Sequence, residues 1–144
     1  MTYNEFITVM KSRGAVIAPP ATRTDITLAN TALQSIRAAM LPKIMIELYE
    51  QTDGINLGAG YIFGPNEIAR VRRFPVPSIT SVNNDISTNA SMRGKTVFGR
   101  NDLFWFAFDA MGTFYMLDNL TLKPLRKYDD PYRALTDCLI AGKI

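Results

Sequence analysis

Leu103-Phe104-Trp105-Phe106-Ala107-Phe108-Asp109, then Ala110-Met111-Gly112, then Thr113-Phe114-Tyr115-Met116-Leu117-Asp118 is the stretch that decides the fold. It reads as two antiparallel strands, over 103–109 and 113–118, joined by a hairpin turn whose Gly112 supplies the positive φ. Period-two alternation sends Phe104, Phe106 and Phe108 to one face and Leu103, Trp105 and Ala107 to the other. Both faces are apolar, which predicts a central strand covered on both sides.

The pattern extends in both directions. Strands are expected over 96–99 and 122–128, so that four successive antiparallel strands fill the C-terminal third. Asp130 and Pro131 suit the N-cap and first turn of a closing helix, with Tyr132, Leu135 and Leu139 on its core face and Gly142 at its end. The N-terminal third has helical spacing instead. Residues 2–13 carry a Tyr3, Phe6, Ile7, Met10 stripe behind a Thr2/Glu5 capping pair. A second helix starts at Thr24 or Asp25 and runs to about residue 39, with Ala29, Leu33, Ile36 and Met40 on one face. A third spans 42–52, with Leu41, Ile44, Met45 and Leu48 inward and Asp53-Gly54 as its stop. Residues 15–21 form a loop fixed by Pro19 and Pro20. Residues 60–63 read as a short strand and 65–71 as a helical turn. Phe74 to Pro77 is expected to be extended, and 78–91 a helix or a partly ordered loop. The fold class is therefore α+β: a mixed, mostly antiparallel sheet of about four to six strands, flanked by N-terminal helices and a C-terminal helix, in one domain over 1–144.

Composition narrows the chemistry. The 144 residues hold no histidine and one cysteine, Cys138. This chain can therefore build no Ser-His-Asp triad, Cys-His pair, imidazole metal site, internal disulfide or CxxC motif. Sixteen basic and thirteen acidic residues give a formal charge of +3, a mild excess that does not by itself demand a nucleic-acid partner. The first residues lack the basic and apolar regions of a signal peptide. The longest apolar run, 103–108, is far short of the roughly 20 residues a membrane helix needs. A cytoplasmic location is the expectation, and the Asn89-Ala90-Ser91 and Asn119-Leu120-Thr121 sequons then carry no glycan.

Five motifs invite chemistry, and each has a plainer account. Gly58, Gly60 and Gly64 are spaced GxGxxxG behind a helix, whereas a dinucleotide loop needs GxGxxG behind a strand; a turn before a strand fits better. Asp102, Asp109 and Asp118 sit at strand ends, where aspartate commonly closes turns through its own carboxylate. Trp105, Tyr115 and the neighbouring phenylalanines read as core packing ahead of a ligand pocket. Cys138 on the last helix reads as a small buried apolar residue without a base to activate it. Arg70, Arg72, Arg73, Arg93, Lys95 and Arg100 form a basic run opposed only by Glu67 and Asp85. Its functional reading is a surface for an acidic partner, and its plain reading a solvated face. Single-strand nucleic-acid binding would also need exposed aromatics beside those arginines, and only Phe74 lies among them.

The order of elements resembles the SUKH superfamily. Ala39-Met40-Leu41-Pro42, Ile46-Glu47-Leu48-Tyr49 and Thr52-Asp53-Gly54 look like its "LP…Y/F-L…N-G" segment, with Asp53 where asparagine is common. Tyr61-Ile62-Phe63-Gly64 resembles the strand before a variable insertion. Asp109, Gly112 and Asp118 match the family's "D-x-x-G…D" hairpin, and the helix after Pro131 completes the series. The likeness covers residues 24–142; segment 65–95 and the first helix fall outside the pattern. It implies an α+β fold and a non-enzymatic role with no shared catalytic residues. Bacterial members of this type are commonly immunity proteins that bind a cognate toxin domain of a polymorphic or contact-dependent secretion system. The expected partner is thus a toxin domain, with no membrane, nucleic acid, metal or cofactor. The expected exposed contact residues are Arg70, Arg72, Arg73, Asn83, Asn84 and Asp85. Two competing readings are a small-ligand or regulatory module with a pocket near Trp105 and Tyr115, and a hydrolase using two converging carboxylates of Asp102, Asp109 and Asp118.

Overall fold

The structure is a computed structural model, and it describes residues 1–68 and 76–140. Its elements in chain order are α1 (Tyr3–Ser12), β1 (Val16–Ile17), α2 (Arg23–Ser35), α3 (Lys43–Gln51), β2 (Ile55–Leu57), β3 (Gly60–Ile62), α4 (Ile79–Ile86), a 3-10 turn (Ala90–Met92), β4 (Lys95–Arg100), β5 (Phe104–Asp109), β6 (Phe114–Asp118), β7 (Pro124–Tyr128) and α5 (Pro131–Ile140). The strands form one seven-stranded sheet in sequential order, β1 to β7, with every pair antiparallel. The α+β class stands. The sheet is larger than the four to six strands expected, and its described pairs are all antiparallel rather than mixed.

The helix ends follow local chemistry. Thr2 caps α1 through the Glu5 N–H. Thr22 and Asp25 close a reciprocal capping box on α2, which moves its start ahead of Asp25. Helix α2 ends at Ser35, earlier than expected, so Met40 lies outside it and is 48% exposed. Pro42 is the N-cap of α3 rather than its first residue. Residues 65–68 make no helical turn. Ile68 instead exchanges two backbone hydrogen bonds with Val76. The remainder of the expected 65–71 turn, and Phe74 and Pro75 of the extended stretch, fall outside the described residues.

The core lies between the sheet and α5, with α1 packed on α5, α4 on β4, and α2 between α3 and α4. On the face of β5 expected from its alternation, Phe106 and Phe108 are buried with Phe98, Phe114 and Tyr128, at ring-centroid distances of 5.3–6.4 Å. Helix α5 rests on this face where two strands have no side chains. A β-carbon on Gly60 would lie 2.7 Å from the Cys138 carbonyl oxygen, and one on Gly99 would lie 2.7 Å from Cys138 Sγ. Asp137 then ties α5 to the last strand, accepting from Tyr128 Oη at 2.8 Å and Arg126 Nη1 at 3.2 Å. The second face of β5 is different. Ala107 and Leu117 are buried there, but Trp105 and Tyr115 are only half-buried, so the expectation of full cover on both sides holds for one face alone.

Candidate functional site

Register assigns the second sheet face residue by residue. Arg100 pairs with Trp105 and with Tyr61, Lys95 with Asp109, and Tyr115 with both Ala107 and Lys127. Cross-strand partners share a face, so Tyr61, Arg100, Trp105, Tyr115, Lys95, Asp109 and Lys127 look the same way. Two cations stack on its rings: Arg100 Cζ lies 5.4 Å from the Trp105 ring centroid and Lys95 Nζ lies 5.8 Å from that of Tyr115. Such a contact, worth about 0.5–1 kcal/mol at an exposed site, holds a flexible basic side chain flat over an aromatic plate. Beside Trp105 a cavity of about 320 Å³ opens between Tyr61, Phe63, Val76, Val82 and Arg100.

Asp109 belongs to this face but is held by its own turn. Its Oδ1 accepts from the Met111 N–H at 2.9 Å and the Thr113 N–H at 3.0 Å, and its Oδ2 accepts from Tyr115 Oη at 2.9 Å. Burial pushes its carboxyl up, but these hydrogen bonds and the nearby Lys95 together outweigh that, and its pKa lies below the ordinary carboxylate value. Among the described residues that the register places on this face, three cations, Lys95, Arg100 and Lys127, stand against one carboxylate that is already engaged.

Asp109 is set apart from the other two strand-end aspartates. Asp109 ends β5, whereas Asp118 pairs with Phe104 at the strand's opposite end. Five residues at about 3.4 Å each separate the two ends by roughly 17 Å, and the alternation puts the two side chains on opposite faces. Asp118 Oδ1 accepts from the Leu120 N–H in a turn of its own, at 2.9 Å. Asp102 lies exposed in the β4–β5 turn, at Asp118's end of the strand. Asp109 therefore cannot join either of the others in the paired-carboxylate chemistry that needs two such groups at one cleft. Cys138 is wholly buried, donates to the Tyr61 carbonyl at 3.3 Å, and has its thiol pKa pushed far up by burial. Among the described residues no three His, Cys, Asp or Glu side chains are grouped to hold a metal ion.

The predicted contact residues divide three ways. Arg70, Arg72 and Arg73 lie outside the described residues. Asn84 and Asp85 are exposed on α4. Asn83, expected at the surface, is 2% exposed and is spent on the fold. Its Nδ2 donates to the carbonyls of Ile79 and Val97, each at 2.8 Å, and its Oδ1 accepts from the Val97 N–H at 2.7 Å. Val97 lies where β3 no longer runs beside β4, since the last contact of that pair is Phe63 N–H to Phe98 O at 2.8 Å. The carboxamide of Asn83 stands in for the missing strand, and its side chain is unavailable to a partner.

The segment matched to the family likeness is structural as well. The buried Thr52 hydroxyl donates to the carbonyls of Ala18 and Gly54, at 2.7 and 2.8 Å. Asp53 accepts the backbone N–H of Asn66 at 3.1 Å and its Nδ2 at 2.7 Å, and the same Nδ2 reaches Asp25 at 3.0 Å. Burial raises the Asp53 pKa against these bonds, while the bonds from Asn66 and Thr22 lower that of Asp25. Asn66 thereby pins the start of α2, the turn after α3 and the chain leaving β3. Thr52 and Asn66 were not singled out by the sequence, since neither periodicity nor spacing distinguishes them from loop residues.

No family model matches the chain, and no curated protein matches it. No helix among the described residues is long and apolar enough to cross a membrane.

Proposed function

We infer that this chain is a non-enzymatic protein-binding domain, an immunity protein that covers a cognate toxin domain, and that the second sheet face is its contact surface. The observation that carries this reading is the set of half-buried aromatics with stacked cations, Trp105 under Arg100 and Tyr115 under Lys95. Tryptophan, tyrosine and arginine are the residues on which interface energy concentrates, and they do so when anchored around a small pocket with a polar rim. The cavity beside Trp105 is such a pocket, and Leu125, 55% exposed two residues before Lys127, extends the apolar area. The positive excess of the face suits an acidic partner surface, because complementary charge speeds encounter and penalises wrong partners. The SUKH resemblance supplies the toxin as the kind of partner.

A small-ligand module is the second reading, and it is favoured by the same cavity next to Trp105. Interface mutagenesis separates the two. Lys127→Glu reverses an exposed charge on the face without touching the cavity lining, so it weakens toxin neutralisation under the first reading. Under the second it leaves a metabolite-induced thermal shift in place. Growth arrest by the toxin domain encoded beside this gene, persisting when the wild-type chain is co-expressed, removes the immunity reading.

A further inference from the structure

A second cavity, of about 400 Å³, lies between the end of α2, the end of α4, the 3-10 turn and the start of β4. Arg37, Arg93 and Lys95 line it together, and no aspartate or glutamate does. Arg37 and Arg93 are both exposed, and no carboxylate among the described residues pairs with either. Lys95 donates to the Ser91 carbonyl at 3.2 Å and is offset by Asp109, which leaves the two guanidiniums as the uncompensated charge. The carbonyls that end α4 do not oppose an anion as bare groups. That of Asn84 accepts from the Ser87 hydroxyl at 2.9 Å, and that of Ile86 accepts from the Asn89 N–H at 3.0 Å.

Backbone geometry points the same way. Helix α2 ends in a Schellman motif: Ala38 N–H bonds to the Leu33 carbonyl at 3.0 Å and Arg37 N–H to that of Gln34 at 3.1 Å. The residue that donates the second of these bonds must be left-handed, a position that favours glycine. Here it is Arg37, at φ 60°. Any side chain held in that conformation costs stability through its β-carbon, and such strain persists where the side chain has a use.

We propose that this cavity binds a phosphate monoester of about mononucleotide size. Two planar guanidiniums match the oxygens of a dianionic phosphate. Ile36, Ile86 and Met92 also line the cavity and give it apolar surface for the organic body. This site shares Lys95 with the Trp105 face, but its two guanidiniums lie outside that face, so the proposal stands or falls independently of the toxin reading.

Isothermal titration of the full chain with adenosine 5′-monophosphate at low ionic strength tests it, with adenosine as the control lacking phosphate. Saturable binding of the monophosphate, absent for adenosine and weakened by added salt, is expected. Arg93→Gln and Arg37→Gly should each lower affinity about tenfold or more, the loss expected for one charge-assisted contact. Arg37→Gly should at the same time raise the unliganded melting temperature by a few degrees, since glycine relieves the left-handed strain. That gain keeps a loss of binding from being a loss of folding. Absence of saturable binding at millimolar monophosphate overturns the proposal, as does binding left unchanged by both substitutions.

Discussion

Asn83→Ala is the substitution for which the structure gives the most definite number. The carboxamide makes three hydrogen bonds of 2.7–2.8 Å inside the molecule, two of them to Val97. The third, to the Ile79 carbonyl, is dispensable, because the helix supplies that oxygen with a backbone donor. The Val97 N–H and carbonyl have no such reserve, as β3 has already turned away at Phe63. Each buried backbone group left without a partner costs about 1–3 kcal/mol, so the substitution should remove about 2–5 kcal/mol. For a domain of ordinary stability, about 5–15 kcal/mol, that is a large share. Equilibrium urea denaturation reads it directly. The midpoint should fall by about 1–3 M with an unchanged slope. Asn84→Ala, at the exposed neighbouring position, should stay within about 0.5 kcal/mol of wild type. Asn83→Asp should be no better than alanine, because it loses both donors and buries a charge. A cost below about 1 kcal/mol for Asn83→Ala, or one equal to that of Asn84→Ala, would refute the claim that this side chain replaces a strand.

Three more outcomes follow from the packing and the electrostatics. Gly99→Ala should cost about 1–3 kcal/mol or more in thermal unfolding, since the added carbon would meet the Tyr61 carbonyl oxygen at 2.5 Å and Cys138 Sγ at 2.7 Å. The Asp109 carboxyl has a folded pKa below its unfolded one. It therefore contributes stability that is fully present above the ordinary carboxylate value and is lost as pH falls through the folded value; the stability deficit of Asp109→Ala should accordingly be present at pH 7 and shrink in acid. Cys138, buried with its thiol pKa pushed up, should resist a thiol reagent in the native protein at pH 7 and react at once in denaturant.

The parts of the fold that were legible in the sequence are those held by local signals. The β5–β6 hairpin shows its alternation and its Gly112 turn, at φ 77°. The helices show their stripes, and α1 shows its Thr2 start, whereas the Thr22 cap of α2 lies ahead of the Thr24 or Asp25 start expected and Pro42 caps α3 from outside it. The two missed strands, β1 and β2, are two and three residues long, too short for a period to be visible, and they exist because Val16 meets Asn56 across a long separation. Ile68 was assigned to a helical turn for the same reason, its bridge to Val76 being a tertiary event. Asn83 is a different kind of error. Ile79, Val82, Asn83 and Ile86 lie at i, i+3, i+4 and i+7, so the spacing already placed Asn83 on the buried stripe, and only its polarity argued for the surface. The candidate contact face depends on cross-strand register, which brings Arg100 to Trp105 and Lys127 to Tyr115. No linear feature of the chain encodes that pairing.

Neutralisation of the neighbouring toxin domain tests the central claim most directly. Cells expressing that domain should grow when they also make the wild-type chain. They should arrest when they make Trp105→Ala or Arg100→Glu, both produced as folded protein with wild-type melting behaviour to within a few degrees. Arrest in the presence of the wild-type chain, or protection undiminished by both substitutions, would contradict the account.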